Sequence, residues 1–518
     1  MNLALVLRTV RHLRPKQIVY QIRQRIVKPG LGEYRIDREP EPCRCLPFIP
    51  KYPSRAGDTF TFLNRSSAFV SWNDTSKGML WAYNLNYMDW LLQPGSSPQE
   101  GAEWIGRFIA ELPQNRIGTD PYPIALRGMN WIKFIHLHRA EIPDSSLRRW
   151  NDSLYSQYRL LCEKLEYHLA GNHLLENAFS LFIASIHFSD SRLYEKAVKL
   201  LVQELDEQIL PDGAHYEQSP MYHCILLDRL LDCCNFSAGN IRFAGQESVA
   251  SFLRGKAAVM TGHLKGMLYD DASWPLFNDA SPGVAPAPQE LFAYAERLGV
   301  EPAATRLKEC GYRSLRGGAM ECFADVGNIM ASYQAGHSHA DTFNYELRIG
   351  GAPFVVDTGT STYDKNARRQ YERSTAAHNT VVVAGRDSSE VWGGFRMGAR
   401  ARVRLLEESD NRIAAEHDGY APVRHRRIFE MHAGKFSVSD FLSGAETGSG
   451  FIHLAPEVEI LSQSDTRIRT STAVIAIEGA AEVKIYPQQV AAAYNSLRES
   501  QTVEMKFTGC MKYEIIPL

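Results

Sequence analysis

The sequence predicts two domains, an all-helical domain followed by an antiparallel β-sandwich. Its 518 residues are too many for one ordinary hydrophobic core. Between residue 100 and about residue 298, apolar residues recur at three- and four-residue steps, as amphipathic helices require. After residue 317 short alternating runs replace them, which is the pattern of strands. The change of period near residue 315 is the expected domain boundary.

The helical region contains antiparallel pairs. Residues 174–188 and 192–210 predict a helical hairpin, broken at residues 189–191 and ended by the Pro-Asp-Gly turn at 211–213. Repeated pairs of this kind can close into an α/α toroid. We therefore expect three parts: an N-terminal extension packing on the toroid (1–95), the toroid domain (96–315) and the β-sandwich domain (316–518).

The predicted sandwich strands are short and are separated by Gly, Asp, Ser and Asn. Alternating runs bounded by such turn residues are typical of a β-sandwich. The clearest runs are residues 403–407, 426–433, 473–478, 481–486 and 502–507.

Charge and cysteine content exclude several classes of protein. With 57 Lys and Arg against 59 Asp and Glu, no overall field draws the chain to nucleic acid or to a membrane, so local charges must bind any acidic polymer. The nine scattered cysteines form neither a disulfide framework nor a Cys-x-x-Cys zinc pattern. No segment is long and apolar enough to span a bilayer.

Residues 1–30 mix short apolar runs with six arginines and lysines up to Arg25, and they contain no uninterrupted apolar run and no small-residue cleavage site. This pattern indicates an amphipathic basic helix, for which contact with a membrane surface is the less favoured alternative. Without a recognisable signal peptide we expect a cytoplasmic location by default, with a periplasmic or envelope location as alternatives.

Polar side chains cluster at the start of a predicted helix in residues 171–177 (GNHLLEN). An asparagine in this position is commonly a helix cap. Alternatively, the amide of Asn172 and the imidazole of His173 can neutralise a substrate carboxylate. Glu176 follows on the same helix.

Residues 212–223 (DGAHYEQSPMYH) form a turn and a helix start crowded with titratable groups. Tyr222 can be ordinary packing, or it can face a cleft beside cations that lower the pKa of its phenol and let it exchange a proton with substrate. Glu217 can position substrate or orient a neighbouring side chain.

Histidines mark two segments of the predicted sandwich, residues 336–341 (GHSHAD) and 377–380 (AHNT). We expect one histidine of the first segment to face the cleft. The other can join Asp357 and His378 in a two-histidine, one-carboxylate set suited to zinc. The alternative is a hydrogen-bond network of loop histidines.

Arg127 lies in residues 125–131 (ALRGMNW) of the helical domain. Its guanidinium can grip a carboxylate with two parallel hydrogen bonds. An internal salt bridge is the equally favoured alternative.

Together the four polar segments resemble those of the heparinase II/III superfamily, which includes heparin, heparan sulfate and alginate lyases. The resemblance rests on residues 171–178, 212–223, 336–341 with Asp357-Thr358-Gly359, and 377–380. It implies an N-terminal incomplete (α/α) toroid, a C-terminal antiparallel β-sandwich and an active site in the groove between them.

The resemblance also implies roles for individual residues. Asn172 and His173 match the positions that engage a uronate carboxylate, Tyr222 matches the Brønsted acid or base, and His337 matches the catalytic histidine.

Further positions match less directly. His339, Asp357 and His378 match a structural zinc site of several members, and no organic cofactor is implied. Tyr363 is a looser match to a second active-site tyrosine, and Tyr371 competes for that role.

The function that we expect is a polysaccharide lyase cleaving a uronic-acid-containing acidic polysaccharide or oligosaccharide by β-elimination. Arg127, Glu176, Glu217 and Tyr363 are the expected substrate-binding residues. One alternative is a glycoside hydrolase that uses Glu176 and Glu217 as acid and base. Another is a non-catalytic glycan-binding or processing protein of exopolysaccharide or O-antigen biosynthesis. The sequence does not indicate the uronic acid, the linkage or the oligomeric state.

Overall fold

A computed structural model describes residues 3–333, 335–432 and 434–518 of the protein. Helices dominate up to residue 297 and strands dominate from residue 312. The α-helices are α1 Leu3–Val10, α2 Pro15–Ile26, α3 Met79–Tyr87, α4 Pro98–Glu111, α5 Pro121–His138, α6 Asp144–Glu163, α7 Gly171–Phe188, α8 Ser191–Gln208, α9 Pro220–Ala238, α10 Gln246–Gly266, α11 Pro288–Arg297 and α12 Ala367–Glu372.

The strands form one small sheet near the N-terminus and several sheets after the helices. They are β1 Arg55–Ala56, β2 Thr59–Phe62, β3 Arg65–Ala68, β4 Tyr312–Gly317, β5 Met320–Asp325, β6 Tyr345–Ile349, β7 Ala352–Val355, β8 Val381–Val383, β9 Val391–Trp392, β10 Arg396–Met397, β11 Val403–Glu408, β12 Arg412–Tyr420, β13 Val423–His432, β14 Lys435–Leu442, β15 Thr447–His453, β16 Ile460–Ser464, β17 Arg467–Thr470, β18 Ala473–Glu478, β19 Glu482–Ala493, β20 Ser496–Thr508 and β21 Cys510–Pro517.

The helical domain has two layers. Helices α5, α7 and α9 are apolar on nearly all sides and almost fully buried. Helices α4, α6 and α8 bury one face only, as expected of an outer layer. The predicted hairpin is confirmed as α7 and α8. Ser189 ends α7 in the left-handed region with a φ of 53°, and the Asp190 carboxylate caps α8 by accepting a hydrogen bond from the Leu193 amide at 3.0 Å.

The β-domain is antiparallel throughout its described strand pairs. An eight-stranded sheet has the order β11-β12-β13-β14-β21-β18-β17-β16, and two four-stranded sheets have the orders β19-β20-β15-β8 and β4-β5-β6-β7. Apolar side chains of all three sheets share one core, in which Phe429 of β13 stands opposite Val438 of β14. The predicted class, a helical toroid followed by an antiparallel β-sandwich, is confirmed.

The division between the domains lies near the predicted position. Helix α11 ends at Arg297 and β4 begins at Tyr312, so the expected limit between residues 315 and 316 falls inside β4. The N-terminal extension contacts both domains rather than the toroid alone. In α2 the Gln17 amide donates to the Leu169 carbonyl at 3.5 Å, whereas Arg8 of α1 pairs with Glu390 of the β-domain at 2.6 Å.

Among the described residues, no helix combines the length and the apolar composition that crossing a bilayer requires.

Candidate active site

The polar segments meet where the helical domain contacts the sandwich. Helices α7 and α9 begin there, carrying His173 and Tyr222 in their first turns. The loop 336–341 and the stretch after β7 approach from the β-domain and bring His337 and Tyr363. Neither domain holds the site alone.

The centre of the site is an aromatic cluster. The ring centroids of Tyr222 and His337 are 4.1 Å apart, and the Tyr222 hydroxyl lies 3.2 Å from the Tyr363 hydroxyl. Phe395 completes the cluster, 5.1 Å from Tyr363 and 6.0 Å from His337 between ring centroids. Tyr222 is half-buried and therefore open to a ligand on one side.

The start of α9 explains why Tyr222 faces this cluster. The Ser219 hydroxyl caps the helix by accepting from the Tyr222 amide at 3.2 Å, and Pro220 occupies the first turn. The same hydroxyl donates to the Asp279 carbonyl at 2.6 Å. One serine thus joins the tyrosine helix to the loop that holds His337.

Asp279 is the anchor of the histidine segment. One carboxylate oxygen lies 2.8 Å from Nδ1 of His337, and the other lies 2.8 Å from Nε2 of His339. The guanidinium of Arg369 binds both oxygens, with Nη2 at 2.7 Å. Burial opposes the charge of Asp279, but Arg369 and the two histidines hold its pKa well below the usual range.

This carboxylate determines which nitrogen of His337 carries a proton. Because Asp279 is ionised, it can only accept, so Nδ1 of His337 donates and Nε2 keeps its lone pair when the ring is neutral. Both histidines of this segment bind Asp279, which fits the alternative of a hydrogen-bond network, and the His337 ring also lies in the aromatic cluster.

Nearby cations do not lower the pKa of Tyr222, although the sequence allows this as one of two alternatives for the residue. Burial raises this pKa well above the usual value, and the carboxylates of Asp279 and Glu217 raise it further, while the Tyr363 hydroxyl opposes the shift. Arg369, which lies 4.9 Å from the centroid of the Tyr363 ring, is paired with Asp279. Tyr222 is therefore a neutral phenol at ordinary pH, so it carries the proton that a general acid needs.

Glu217 connects the two helices of the site. One of its oxygens accepts from the backbone amide of Asn172 at 2.9 Å, and the other lies 3.8 Å from Nε2 of His337. Burial raises the pKa of Glu217, although His337 and the Asn172 amide work against the shift. Its position fits a residue that orients its neighbours.

Asn172 and His173 lie in the first turn of α7. Asn172 is not a cap, because the N-cap position belongs to Ala170. Nδ1 of His173 lies 3.1 Å from a carboxylate oxygen of Glu166, and 29% of its side chain is exposed. Burial disfavours a charge on His173, but Glu166 outweighs this effect and raises the pKa. His173 therefore accepts a proton more readily than a free imidazole, and its ring packs on Tyr122 with centroids 4.5 Å apart.

Backbone strain accompanies three of the segments that supply the site. Ala170, Gln218 and Asn278 adopt φ values of 58°, 58° and 57°, which are unusual for residues other than glycine. Each directly precedes or adjoins a segment that carries a site residue. Such strain is concentrated where a fold places functional groups.

Glu176 is fully buried in α7, away from solvent. Its nearest cation is the Nε atom of Arg229, 3.5 Å away, and neither carboxylate oxygen has a hydrogen-bond partner among the described residues. Burial raises the pKa of Glu176 to about 7, against the pull of Arg229. The side chain has the perturbed pKa of a functional group but no exposed surface.

Arg127 does not reach the cleft. Its guanidinium is fully buried over the Phe108 ring, and it donates to the Gln157 amide oxygen at 2.6 and 2.9 Å. The remaining donors bind the carbonyls of Asn86 at 3.0 Å and Gly118 at 2.7 Å. Because all three guanidinium nitrogens donate to groups inside the helical domain, Arg127 is not free to bind substrate as predicted. Its internal partners are an amide and two carbonyls rather than a carboxylate.

The structure separates the two competing tyrosines. Tyr363 belongs to the cluster, and its backbone amide donates to the Tyr494 hydroxyl at 2.6 Å. Tyr371 points elsewhere, since its hydroxyl donates to the Ala376 carbonyl at 3.4 Å and accepts from Gln488.

The predicted zinc ligands do not form a ligand set as they stand. His378 donates from Nδ1 to Asp357 at 2.7 Å, whereas His339 turns Nε2 toward Asp279. Nδ1 of His339 and Nε2 of His378 are buried and have no partner among the described residues. Within the described part of the chain, the group of three whose ligand atoms all lie within 4.8 Å of one another is Asp212, His263 and Cys310, a possible metal cluster.

Sequence reasoning missed Asp279, Arg369 and Tyr494. Asp279 follows Asn278 in a loop with Pro and Gly nearby, where an acidic residue usually indicates only a turn. Arg369 lies in a charged segment that resembles an exposed helix but is 0% exposed. Only the tertiary pairing of these two residues reveals their role.

Two family models match the chain. The heparinase II/III N-terminus matches residues 127–297, and the heparinase II/III-like C-terminal region matches residues 300–515. A solved heparinase III structure has a TM-score of 0.70 at 15% identity, covering 87% of this chain and 79% of that chain. This similarity concerns the fold.

Curated proteins that are similar in sequence include two heparin-sulfate lyases. The heparin-sulfate lyase of Pedobacter heparinus is 24% identical over 330 residues, covering 58% of this chain and 48% of that protein. The heparin-sulfate lyase of Bacteroides thetaiotaomicron is 22% identical over 335 residues, covering 56% and 46%. The chain thus spans about half the length of the curated relatives that it matches. With both family models matched in order along most of its length, the chain belongs to the heparinase II/III-like superfamily.

Proposed function

We propose that this protein is a polysaccharide lyase that cleaves a uronic-acid-containing acidic polysaccharide by β-elimination. The observation that carries the proposal is the pairing of a neutral, half-buried phenol, Tyr222, with His337, whose Nδ1 is fixed by the ionised Asp279. This arrangement supplies a proton donor and a proton acceptor side by side, as an elimination requires.

The first requirement of the reaction is to make the C5 proton of the uronate acidic. A cation or hydrogen-bond donor at the C5 carboxylate stabilises the negative charge that develops as this proton leaves. We assign this role to His173, whose pKa is raised by Glu166, and to the side-chain amide of the neighbouring Asn172 in the first turn of α7.

The second requirement is a base and an acid. Nε2 of His337 takes the C5 proton, because Asp279 keeps the ring proton on Nδ1 and stabilises the imidazolium that results. Tyr222 donates its phenolic proton to the glycosidic oxygen on C4, in keeping with its raised pKa. Tyr363, 3.2 Å away between hydroxyl oxygens, orients that phenol.

The bonds balance without water. The C5–H bond breaks, its electron pair forms the C4–C5 double bond, and the C4–O bond breaks as its oxygen receives the proton from Tyr222. The products are an unsaturated uronate and a free hydroxyl on the departing sugar. The proton on His337 then returns to Tyr222 through solvent.

For the substrate class, we propose a glycosaminoglycan of the heparan sulfate type as the first candidate, since the curated relatives are named heparin-sulfate lyases. The hydrolase alternative is less favoured by the site. Glu217 is 1% exposed and bonded to a backbone amide, and Glu176 is fully buried, so neither carboxylate faces open space.

Zinc at His339, Asp357 and His378 is a separate proposal, and no step above uses a metal. The two unpartnered imidazole nitrogens favour it, and the spread of the ligand atoms argues against it. Zinc content is measured in the purified wild type, His378→Ala and His263→Ala. Loss of zinc only in His378→Ala supports the predicted ligand set. Loss of zinc only in His263→Ala assigns the metal to Asp212, His263 and Cys310.

Product mass tests the proposed function. Elimination gives fragments whose masses sum to that of the substrate, whereas hydrolysis adds one water for each bond cleaved. Heparan sulfate, hyaluronan, alginate and bacterial exopolysaccharides form the panel. Fragments with added water would support the hydrolase, and an intact, bound glycan would support the binding protein.

A further inference from the structure

Helix α2 presents its apolar side to solvent. Ile18, Val19, Ile22 and Ile26 lie on one face of the helix at spacings of three and four residues, and they are 38%, 59%, 53% and 75% exposed. A helix on a globular protein normally buries such a stripe. Burial of this face would therefore lower the free energy of the protein in contact with an apolar partner.

The opposite face of α2 is polar and faces the protein. Gln17 is buried, and the ring of Tyr20 packs at a tilt against that of Tyr167 with centroids 4.7 Å apart. Arg14, just before the helix, pairs with Glu207 at 2.6 Å and lies over the Tyr333 ring at 3.7 Å. These contacts fix the rotation of the helix and hold its apolar face outward.

Helix α1 repeats this arrangement on the β-domain. Leu3, Leu7 and Val10 recur at four and three residues and are 72%, 61% and 41% exposed. On its other side Arg8 pairs with Glu390, and the Thr9 hydroxyl accepts from Nε1 of Trp392 at 3.0 Å. Two helices on two domains thus expose apolar stripes from one short segment of the chain.

The positive charge of the N-terminal segment indicates which kind of partner binds the apolar stripes. Residues 3–32 contain no aspartate or glutamate. Arg11, Arg23, Arg25 and Lys28 are exposed, and none of them pairs with a carboxylate within the described part of the chain. Arg25 and Arg23 flank the apolar stripe of α2 on its two sides, as basic residues do in helices that lie in a membrane interface.

We propose that residues 3–28, which include α1 and α2, dock the protein on the surface of a bilayer that contains anionic lipids. The apolar stripes enter the boundary between headgroups and acyl chains, and the unpaired cations bind the lipid phosphates. A second copy of this chain fits less well, because two such segments would bring their uncompensated positive charges together.

Helix α1 is linked to the candidate active site through a short hairpin. Helix α1 is bonded to Glu390 and Trp392, which begin the β9–β10 hairpin. The turn of that hairpin carries Phe395, which contacts His337 and Tyr363. The membrane-facing segment and the aromatic cluster are therefore connected through one short hairpin.

Vesicle flotation tests the proposal without reference to catalysis. Wild type is mixed with vesicles of phosphatidylglycerol and phosphatidylcholine, or of phosphatidylcholine alone, and floated through a density gradient. We expect wild type to float with the anionic vesicles, and the triple variant Ile18→Gln, Ile22→Gln, Ile26→Gln to lose at least about tenfold in bound fraction. High salt should weaken binding of the wild type.

A matched control exchanges equally accessible apolar residues elsewhere, Val70→Gln, Leu461→Gln and Leu497→Gln, and should float like the wild type. Circular dichroism and melting temperature verify that every variant is folded. Wild type that stays at the bottom of the gradient, or a triple variant that floats equally well, overturns the proposal. So does a vesicle-free dimer of wild type that the triple variant abolishes, because the stripe would then bind a second copy.

Discussion

The ring of Tyr222 lies 4.1 Å from the ring of His337, centroid to centroid, although the two residues belong to different domains and are 115 positions apart in the sequence (337 − 222). The contact depends on Ser219 and Asp279, which join the start of α9 to the histidine segment. Chemistry at this site is therefore sensitive to changes that move one domain relative to the other.

Asp279→Asn removes the negative charge of this side chain but keeps its size, so the variant tests what the charge contributes to activity and stability. An amide cannot accept from His337 and His339 and also balance Arg369, so the ring proton of His337 is no longer fixed on Nδ1. We expect kcat/KM to fall about 10²- to 10⁴-fold and the free energy of unfolding to fall by about 3–5 kcal/mol, because Arg369 loses its buried partner.

Asp325→Asn is the matched control for this change. Asp325 is buried like Asp279, but its side chain accepts from the backbone amide of Gly327 at 2.9 Å, a hydrogen bond that the oxygen of an asparagine can also accept. We expect little change in kcat or stability at neutral pH. An Asp279→Asn enzyme with an unchanged kcat and pH profile would show that His337 does not depend on this carboxylate.

Glu176→Gln tests how the buried carboxyl group of Glu176 changes the stability of the fold with pH. The folded-state pKa of Glu176 is about 7, above its ordinary value, so the protonated form is favoured in the folded protein. The stability that the folded protein gains by keeping Glu176 protonated is fully present below the unfolded-state pKa and is lost as the pH rises through about 7. The variant should therefore gain stability relative to wild type between roughly pH 4.5 and pH 7.5, by up to about 3 kcal/mol.

Melting temperatures of wild type and Glu176→Gln across this pH range provide the measurement. The difference should grow with pH and then level off. A difference that stays constant with pH would mean that Glu176 does not titrate in this window.

Arg127→Gln should damage the fold rather than substrate binding. The substitution removes hydrogen bonds to Gln157, Asn86 and Gly118 in a fully buried site. We expect the free energy of unfolding to fall by about 2–5 kcal/mol and the KM of the folded fraction to stay unchanged. His173→Ala should do the reverse, raising KM with little loss of stability. A raised KM for a stable Arg127→Gln protein would contradict this account and indicate that Arg127 binds substrate.

The sequence predicted the fold class and drew attention to Tyr222 and His337 because these features appear in local patterns. The helical period at residues 174–188 and the alternation at 473–478 are properties of single elements, and Tyr222 and His337 lie in segments of unusual composition. Asp279 and Arg369 could not be predicted in this way, since their function arises only when residues 90 positions apart meet. The same limit explains Arg127, whose partners come from three separate segments.

The central claim is that Tyr222 and His337 perform an elimination. Absorbance in the band of unsaturated uronates, followed for wild type, Tyr222→Phe and the control Tyr371→Phe on the glycan panel, tests it most directly. We predict a rise with wild type and with Tyr371→Phe, and a loss of at least about 10²-fold in rate with folded Tyr222→Phe. No rise with wild type on any uronate-containing glycan of the panel, or an equal rise with Tyr222→Phe, would contradict the claim.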